Sequence, residues 1–277
     1  MKITAQAVNN LRKTTGAGMM DCKKALVEAN GDMEVAIDLL RKRGQKVSAK
    51  RADRETSEGT VYAQSFADGA EGIIFALSCE TDFVAKNDDF QAMGKALMEL
   101  AVANKPADKA AFDALPMADG RTVTENLTDL IGKIGEKIEV SQYTYVKAEK
   151  VAPYIHAGSK LGVLVVLENA GDSDYLTVGK DVGMQIAAMN PLAVNADQID
   201  EATKERELNL ATEKARESGK PEAILGKIAQ GALNKYFKEN TLLSQPFVKN
   251  PKQTIAEFLN SSNKGMTVTS FSRVSLG

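Results

Sequence analysis

Two apolar runs, Gly72-Ile73-Ile74-Phe75-Ala76-Leu77 and Gly162-Val163-Leu164-Val165-Val166-Leu167, stand 90 positions apart in this chain of 277 residues. Both read as strands, the first following a change to a period-two pattern after the basic segment. The helical patterns that follow also match, now at an offset of 85: Phe90 with Tyr175, Gly94-Lys95 with Gly179-Lys180, Ala103 with Ala188 and Pro106 with Pro191. A chain built this way folds as two copies of one strand-loop-helix unit. The copies differ in one place. Between strand and helix the first has twelve residues, Ser78 to Asp89, and the second seven, Glu168 to Asp174. The surplus falls in CETDFVAKND, where Phe83 and Val84 stand among Glu80, Thr81, Asp82, Lys86 and Asn87. Such a loop either presents its phenylalanine to a partner or folds it under its own domain, and the sequence leaves both open.

Around this repeat the expected class is α+β, with hairpins and helices segregated rather than alternating. Residues 57–140 form the first core subdomain, opening on a hairpin that turns at Asp68-Gly69; residues 141–277 form the second. The second is interrupted at about 190–230 by an antiparallel helical hairpin that breaks at Ser218-Gly219-Lys220-Pro221, with Ile199, Ala202, Leu208 and Ala211 on its apolar stripe. Residues 1–56 read as three short helices plus a basic connector. The first ends at Thr14-Thr15-Gly16, the second at Asn30-Gly31, and the third is capped by Asp32, presents Val35, Ala36, Leu39 and Leu40, and stops at Gly44. Such a bundle resembles the ubiquitin-associated fold, a docking module rather than a catalyst.

Charge separates these parts. Residues 1–56 hold 12 Lys/Arg against 7 Asp/Glu, whereas residues 57–277 hold 23 against 30. The basic excess peaks at 41–54, RKRGQKVSAKRADR, which is read as a solvated connector in preference to an RNA- or ribosome-binding segment, since no aromatics are interleaved to stack on bases.

Scarce residues exclude most enzyme classes. With one histidine, His156, and two cysteines, Cys22 and Cys79, no multi-imidazole metal site, four-cysteine zinc set or disulfide framework can be assembled, and no metal is expected. GAGMMDCKK at Gly16 fails as a nucleotide cradle. Aligning Lys23 with the P-loop lysine puts Ala17 and Cys22 at the glycine positions, so no cofactor is expected. YIHAGSKLG carries no nucleophile elbow around His156, which reads as a hairpin-edge or contact residue. No apolar run reaches the roughly 20 residues of a membrane helix, and MKITAQAVNN lacks a signal-peptide core, so the expected compartment is the cytoplasm without membrane contact.

Four stretches together resemble bacterial elongation factor Ts: TGAGMMDCKKAL at Thr15–Leu26 with EANGD after it, TDFVAKN at Thr81–Asn87, YIHAGSKLGVLV at Tyr154–Val165 and QPFVKNPKQTIAEFL from Gln245. They stand in that family's order across nearly the whole chain. The resemblance implies a guanine-nucleotide exchange factor for the GTPase elongation factor Tu, in its GDP-bound and nucleotide-free states, with no covalent chemistry of its own. It further implies docking of the N-terminal bundle through Met19 and Met20, and entry of Thr81, Asp82, Phe83 and Val84 beside the GTPase's magnesium and phosphate site. Self-association through the helical hairpin, as in some members, and a contact from His156 are also implied. Ala157 departs from the glycine common after that histidine. Many members continue past SRVSLG into a further helical module, and without it the N-terminal domain is expected to carry more of the docking.

Overall fold

The computed structural model describes residues 3–277. The chain divides into two compact units. One holds residues up to 62, 75–145 and 274–277, and the other holds 63–74 and 146–273.

The first unit begins with α1 (Ala5–Thr15), α2 (Met19–Glu28) and α3 (Met33–Lys50). The Thr4 hydroxyl accepts the Ala7 N–H at 3.1 Å, and Gly16 ends α1 in the left-handed region at φ 67°, a conformation that costs glycine least. The Asp32 carboxylate caps α3 by accepting the Val35 N–H at 3.0 Å. Leu11, Cys22, Ala25, Leu26 and Ala36 close a small core of their own. Val35 was expected on that face, but it is exposed, and Ile37 packs in its place.

The third helix does not stop at Gly44; it runs to Lys50, so most of the basic segment is helix rather than connector. Gly44 serves close approach instead of termination. It is buried against α7 (Val123–Ile134), where a Cβ built on Gly132 would lie 2.7 Å from the Gly44 Cα. Neither helix backbone can yield that space cheaply. Gly132→Ala is therefore expected to lower stability by about 1–3 kcal/mol. An unchanged urea midpoint would refute this contact.

After the bundle the chain runs through β1 (Glu58–Phe66) and β2 (Glu71–Cys79), of which residues 63–74 belong to the second unit, then α4 (Asp82–Ala85), α5 (Asp88–Asn104), α6 (Lys109–Asp113), α7 and β3 (Ile138–Lys147). The three strands form a sheet in the order β1-β2-β3. The second unit carries β4 (Lys150–Ile155), β5 (Leu161–Glu168), α8 (Tyr175–Met189), α9 (Glu201–Glu217), α10 (Glu222–Asn240), β6 (Pro246–Phe247), β7 (Asn250–Thr254), α11 (Ile255–Ser262) and β8 (Thr267–Ser275). Its main sheet has the order β4-β5-β8. The β4–β5 hairpin is antiparallel, pairing Val151 with Val166 and Ile155 with Gly162.

The repeat is physical. A Cβ on Gly94 would lie 2.1 Å from the Tyr62 hydroxyl oxygen, and one on Gly179 would lie 2.1 Å from the Ala152 Cβ. These glycines occupy matching helix positions and their partners occupy matching strand positions, so each helix lies flush on the first strand of its hairpin. Both helices end the same way, on a left-handed residue before proline: Lys105 at φ 51° and Asn190 at φ 44°.

Helices α9 and α10 pair as an antiparallel hairpin turning through Gly219 at φ 71°, with Ala215, Leu225, Ala229 and Leu233 buried. Of the stripe read from the sequence, Ile199 is buried and Ala202 is exposed. The QPFVKN stretch is structural. Gln185 and Gln245 are fully buried, and Gln185 donates to the Gln245 side chain at 3.1 Å and to the Pro246 carbonyl at 3.2 Å while accepting the Val248 N–H at 2.8 Å.

Candidate docking site for a protein partner

The surplus residues of the first copy form not an open loop but one helical turn, α4. Thr81 is its N-cap, its hydroxyl accepting the Val84 N–H at 3.4 Å. Of the two alternatives for the phenylalanine, it is the exposed one that the turn adopts. Val84 and Ala85 are buried, whereas Phe83 is 82% exposed, the largest value for any large apolar side chain among the described residues. Burying a phenylalanine is favourable by roughly 1.5–3 kcal/mol, so a fixed turn that withholds that gain from its own core leaves it available to a partner.

The turn is held at both ends. Upstream, the Glu80 carboxylate accepts the Lys137 backbone N–H at 2.7 Å and two bonds from Arg51 Nη1 at 2.7 and 2.9 Å. The Glu136 carboxylate accepts the Thr81 N–H at 3.0 Å and the Thr81 hydroxyl at 2.8 Å. Downstream, the Asn87 side chain caps α5, accepting the Asp89 N–H at 2.9 Å, and Gln91 donates to the Ala85 carbonyl at 2.6 Å. On the surface of the turn Lys86 Nζ donates to Asp82 at 2.7 Å, which raises the lysine's pKa.

Burial pushes the Glu80 carboxyl upward, but the Lys137 amide and the Arg51 guanidinium outweigh it and hold the carboxyl below the usual glutamate range. A carboxyl depressed in the folded state contributes stability that is complete above its unfolded pKa of about 4.3 and is lost as pH falls through the folded value. Glu80→Gln should therefore flatten the acid limb of urea stability below about pH 4.3. An acid limb identical to that of the unsubstituted chain would remove Glu80 from this role.

Met19 and Met20 open α2 and are 59% and 60% exposed, in the first turn ahead of the buried Cys22, Ala25 and Leu26. They belong to the first unit, as does Phe83. His156 belongs to the second, exposed in the β4–β5 turn with its Nδ1 2.9 Å from the Tyr154 hydroxyl.

The basic segment lines a cleft of about 560 Å³ between α3 and α7 through Arg41, Arg43 and Lys46. Three of its four arginines are engaged by acidic side chains: Arg41 by Asp38, Arg43 by Glu28 and Arg51 by Glu80. Sequence reading marked the surplus segment but left the exposure of Phe83 open, and it missed Glu136 and the role of Arg51. Thr81 and Glu136 are 55 positions apart, and no local pattern joins them.

A family model for elongation factor TS matches residues 80–277. The chain is 54% identical over 274 residues to "Elongation factor Ts" of Cytophaga hutchinsonii, covering 99% of each, and 53% identical over 277 residues to that of Amoebophilus asiaticus, covering 100% of each. The chain belongs to the elongation factor Ts family. A relative of the same name in Porphyromonas gingivalis is 48% identical over 276 residues. The family model spans the α4 turn, the helix of the first copy, the whole second copy and the helical hairpin, while the first two relatives also cover the three-helix bundle and the β1–β2 hairpin. Among the described residues, no helix is long and apolar enough to cross a membrane.

Proposed function

We propose that this chain promotes guanine-nucleotide release from elongation factor Tu, acting by binding and not by covalent chemistry, in the cytoplasm where translation elongates. The observation that carries the reading is an 82% exposed phenylalanine on a turn clamped at both ends, in a chain of the elongation factor Ts family. Met19 and Met20 dock the bundle on the GTPase domain, and the Thr81–Val84 turn enters beside the magnesium and phosphate site. His156 adds a contact from the second unit, and α9–α10 supplies a self-association surface.

The mechanism is differential binding. Factor and GDP each weaken the other's affinity by the same coupling free energy, so a factor that binds the nucleotide-free GTPase more tightly must speed nucleotide loss or lose its complex when GDP is in excess. An aromatic side chain suits this task because a close-packed interface has discrete arrangements, and an inserted ring shifts an element rather than compressing the core. Asp82 can compete for polar groups that orient the magnesium shell. Its exposed pair with Lys86 is worth little in water and is easily exchanged. Loss of the metal then removes the charge that neutralises the phosphates.

Release of labelled GDP from elongation factor Tu tests the reading, with acceleration by catalytic amounts of the chain as the expected result. No acceleration, or a complex that survives excess GDP undiminished, overturns it. The RNA-binding alternative through residues 41–54 gains no support from the structure beyond charge, and one of its arginines, Arg51, is engaged by the largely buried Glu80.

A further inference from the structure

Residues 80–81 and 136–137 hold each other reciprocally. The side chain of Glu80 accepts the backbone N–H of Lys137 at 2.7 Å, and the side chain of Glu136 accepts the backbone N–H of Thr81 at 3.0 Å together with its hydroxyl at 2.8 Å. The second strand of this clamp is itself fixed, since Gly135 ends α7 in the left-handed region at φ 89° and β3 begins at Ile138. A third group closes the arrangement. Arg51, the residue that ends α3, donates from one guanidinium nitrogen to both oxygens of Glu80. The helix that carries Arg51 also packs against α2, which bears Met19 and Met20. The bundle's exposed methionines and the exposed Phe83 are thus connected through α3, Arg51 and Glu80.

We propose that Arg51 and Glu136 are positioning residues for Phe83. They hold the α4 turn so that the ring arrives at the partner already oriented, with α3 as the rod that ties its position to the docked bundle. The bonds involved are the stronger kind, because each has a carboxylate acceptor and one pairs it with a guanidinium. They are also partly buried, where water competes less for the same groups. Without them the turn would keep Val84 in the core, but its N-cap would lose its anchors, and the ring would sample orientations that must be given up on binding. This inference deepens the exchange reading and rests on it for its functional arm; its structural arm does not.

The chain contains no tryptophan, so Phe83→Trp places a unique fluorophore on the turn. Time-resolved anisotropy of the free Phe83→Trp protein should show little fast wobble, and adding Arg51→Ala or Glu136→Ala should raise the wobbling fraction at least about twofold. In GDP-release assays on the Phe83 chain, each clamp variant should lower the maximal rate roughly tenfold, as expected for a misplaced group remote from the chemistry, with the half-saturating concentration little changed. Arg51→Lys should restore most of the rate, since one nitrogen makes both bonds, whereas Arg51→Met should not. In a Phe83→Ala background neither clamp variant should slow release further.

Unchanged wobble in both clamp variants, or equal slowing with and without the Phe83 ring, overturns the proposal. If Glu136→Ala does not fold, Thr81→Val, which removes the hydroxyl's bond to Glu136 together with its cap on the Val84 N–H and leaves the backbone bond to Glu136, takes its place in both assays. Should Phe83→Ala itself leave release unaltered, the ring has no part in exchange and the functional arm fails, while the anisotropy still decides whether Arg51 and Glu136 hold the turn.

Discussion

Phe83→Ala should slow factor-catalysed GDP release from elongation factor Tu about thirtyfold and leave the melting temperature unchanged within about 1 °C. The two halves rest on different quantities. A side chain that is 82% exposed contributes almost nothing to its own core, and surface substitutions of this kind stay within about 0.5 kcal/mol. Truncating an aromatic anchor in an interface costs about 2 kcal/mol or more, and each 1.4 kcal/mol is tenfold, which gives the expected factor. Its neighbour supplies the control. Val84 is 8% exposed, so Val84→Ala should lower stability by on the order of 1 kcal/mol and affect release only through loss of the turn. Equal effects of the two substitutions on release, or a large fall in melting temperature for Phe83→Ala, would show that the ring acts as core and not as a contact.

The pair also shows where sequence reasoning stops. Its surplus relative to the second copy marked the segment, because that length difference is visible once the repeat is aligned. Which of two adjacent apolar residues faces solvent was not legible, since it depends on the phase of a four-residue helical turn fixed by Thr81 and by partners 55 positions away. Gly44 was misread for a related reason. A glycine after an amphipathic run is a common helix stop, but here the facing Gly132 on α7 makes it a close-approach residue, and helical geometry continues to Lys50. Met19 and Met20 came from the resemblance and not from periodicity, since Met19 stands three and seven residues before the buried Cys22 and Leu26 and is exposed because it opens the helix. The expected α+β class, the bundle and both hairpin-helix copies rested on local periodicity and turn chemistry, and these are the features the structure reproduces.

The glycines of the repeat carry the second large effect, and the two copies should respond unequally. Replacing a helix-interior glycine with alanine stabilises the helix by about 1 kcal/mol when nothing opposes the new methyl group. At Gly179 the methyl would meet the Ala152 Cβ at 2.1 Å, and that atom is bonded directly to the backbone of β4, which is paired through its length with β5. The clash can be relieved only by lifting α8 from the sheet, over a core that includes Val163, Val165, Leu167, Val178, Val182 and Ile186. Overpacking of that kind costs about 1–3 kcal/mol and sometimes more, so Gly179→Ala should be destabilising by roughly 2 kcal/mol net. At Gly94 the obstruction is the far end of the Tyr62 side chain, with its hydroxyl oxygen at 2.1 Å and Cζ at 2.2 Å. That ring can swing aside, giving up its stacking on Phe75 at 5.1 Å and its 3.2 Å bond to Gln91, groups worth about 1 kcal/mol each. The helix gain offsets much of this, and Gly94→Ala should lie within about 1 kcal/mol of the unsubstituted chain. Urea unfolding of both variants measures the order directly. If Gly94→Ala proves the more damaging, a backbone-anchored methyl is not the harder obstacle, and helix-on-hairpin contact is not what the repeated glycines serve.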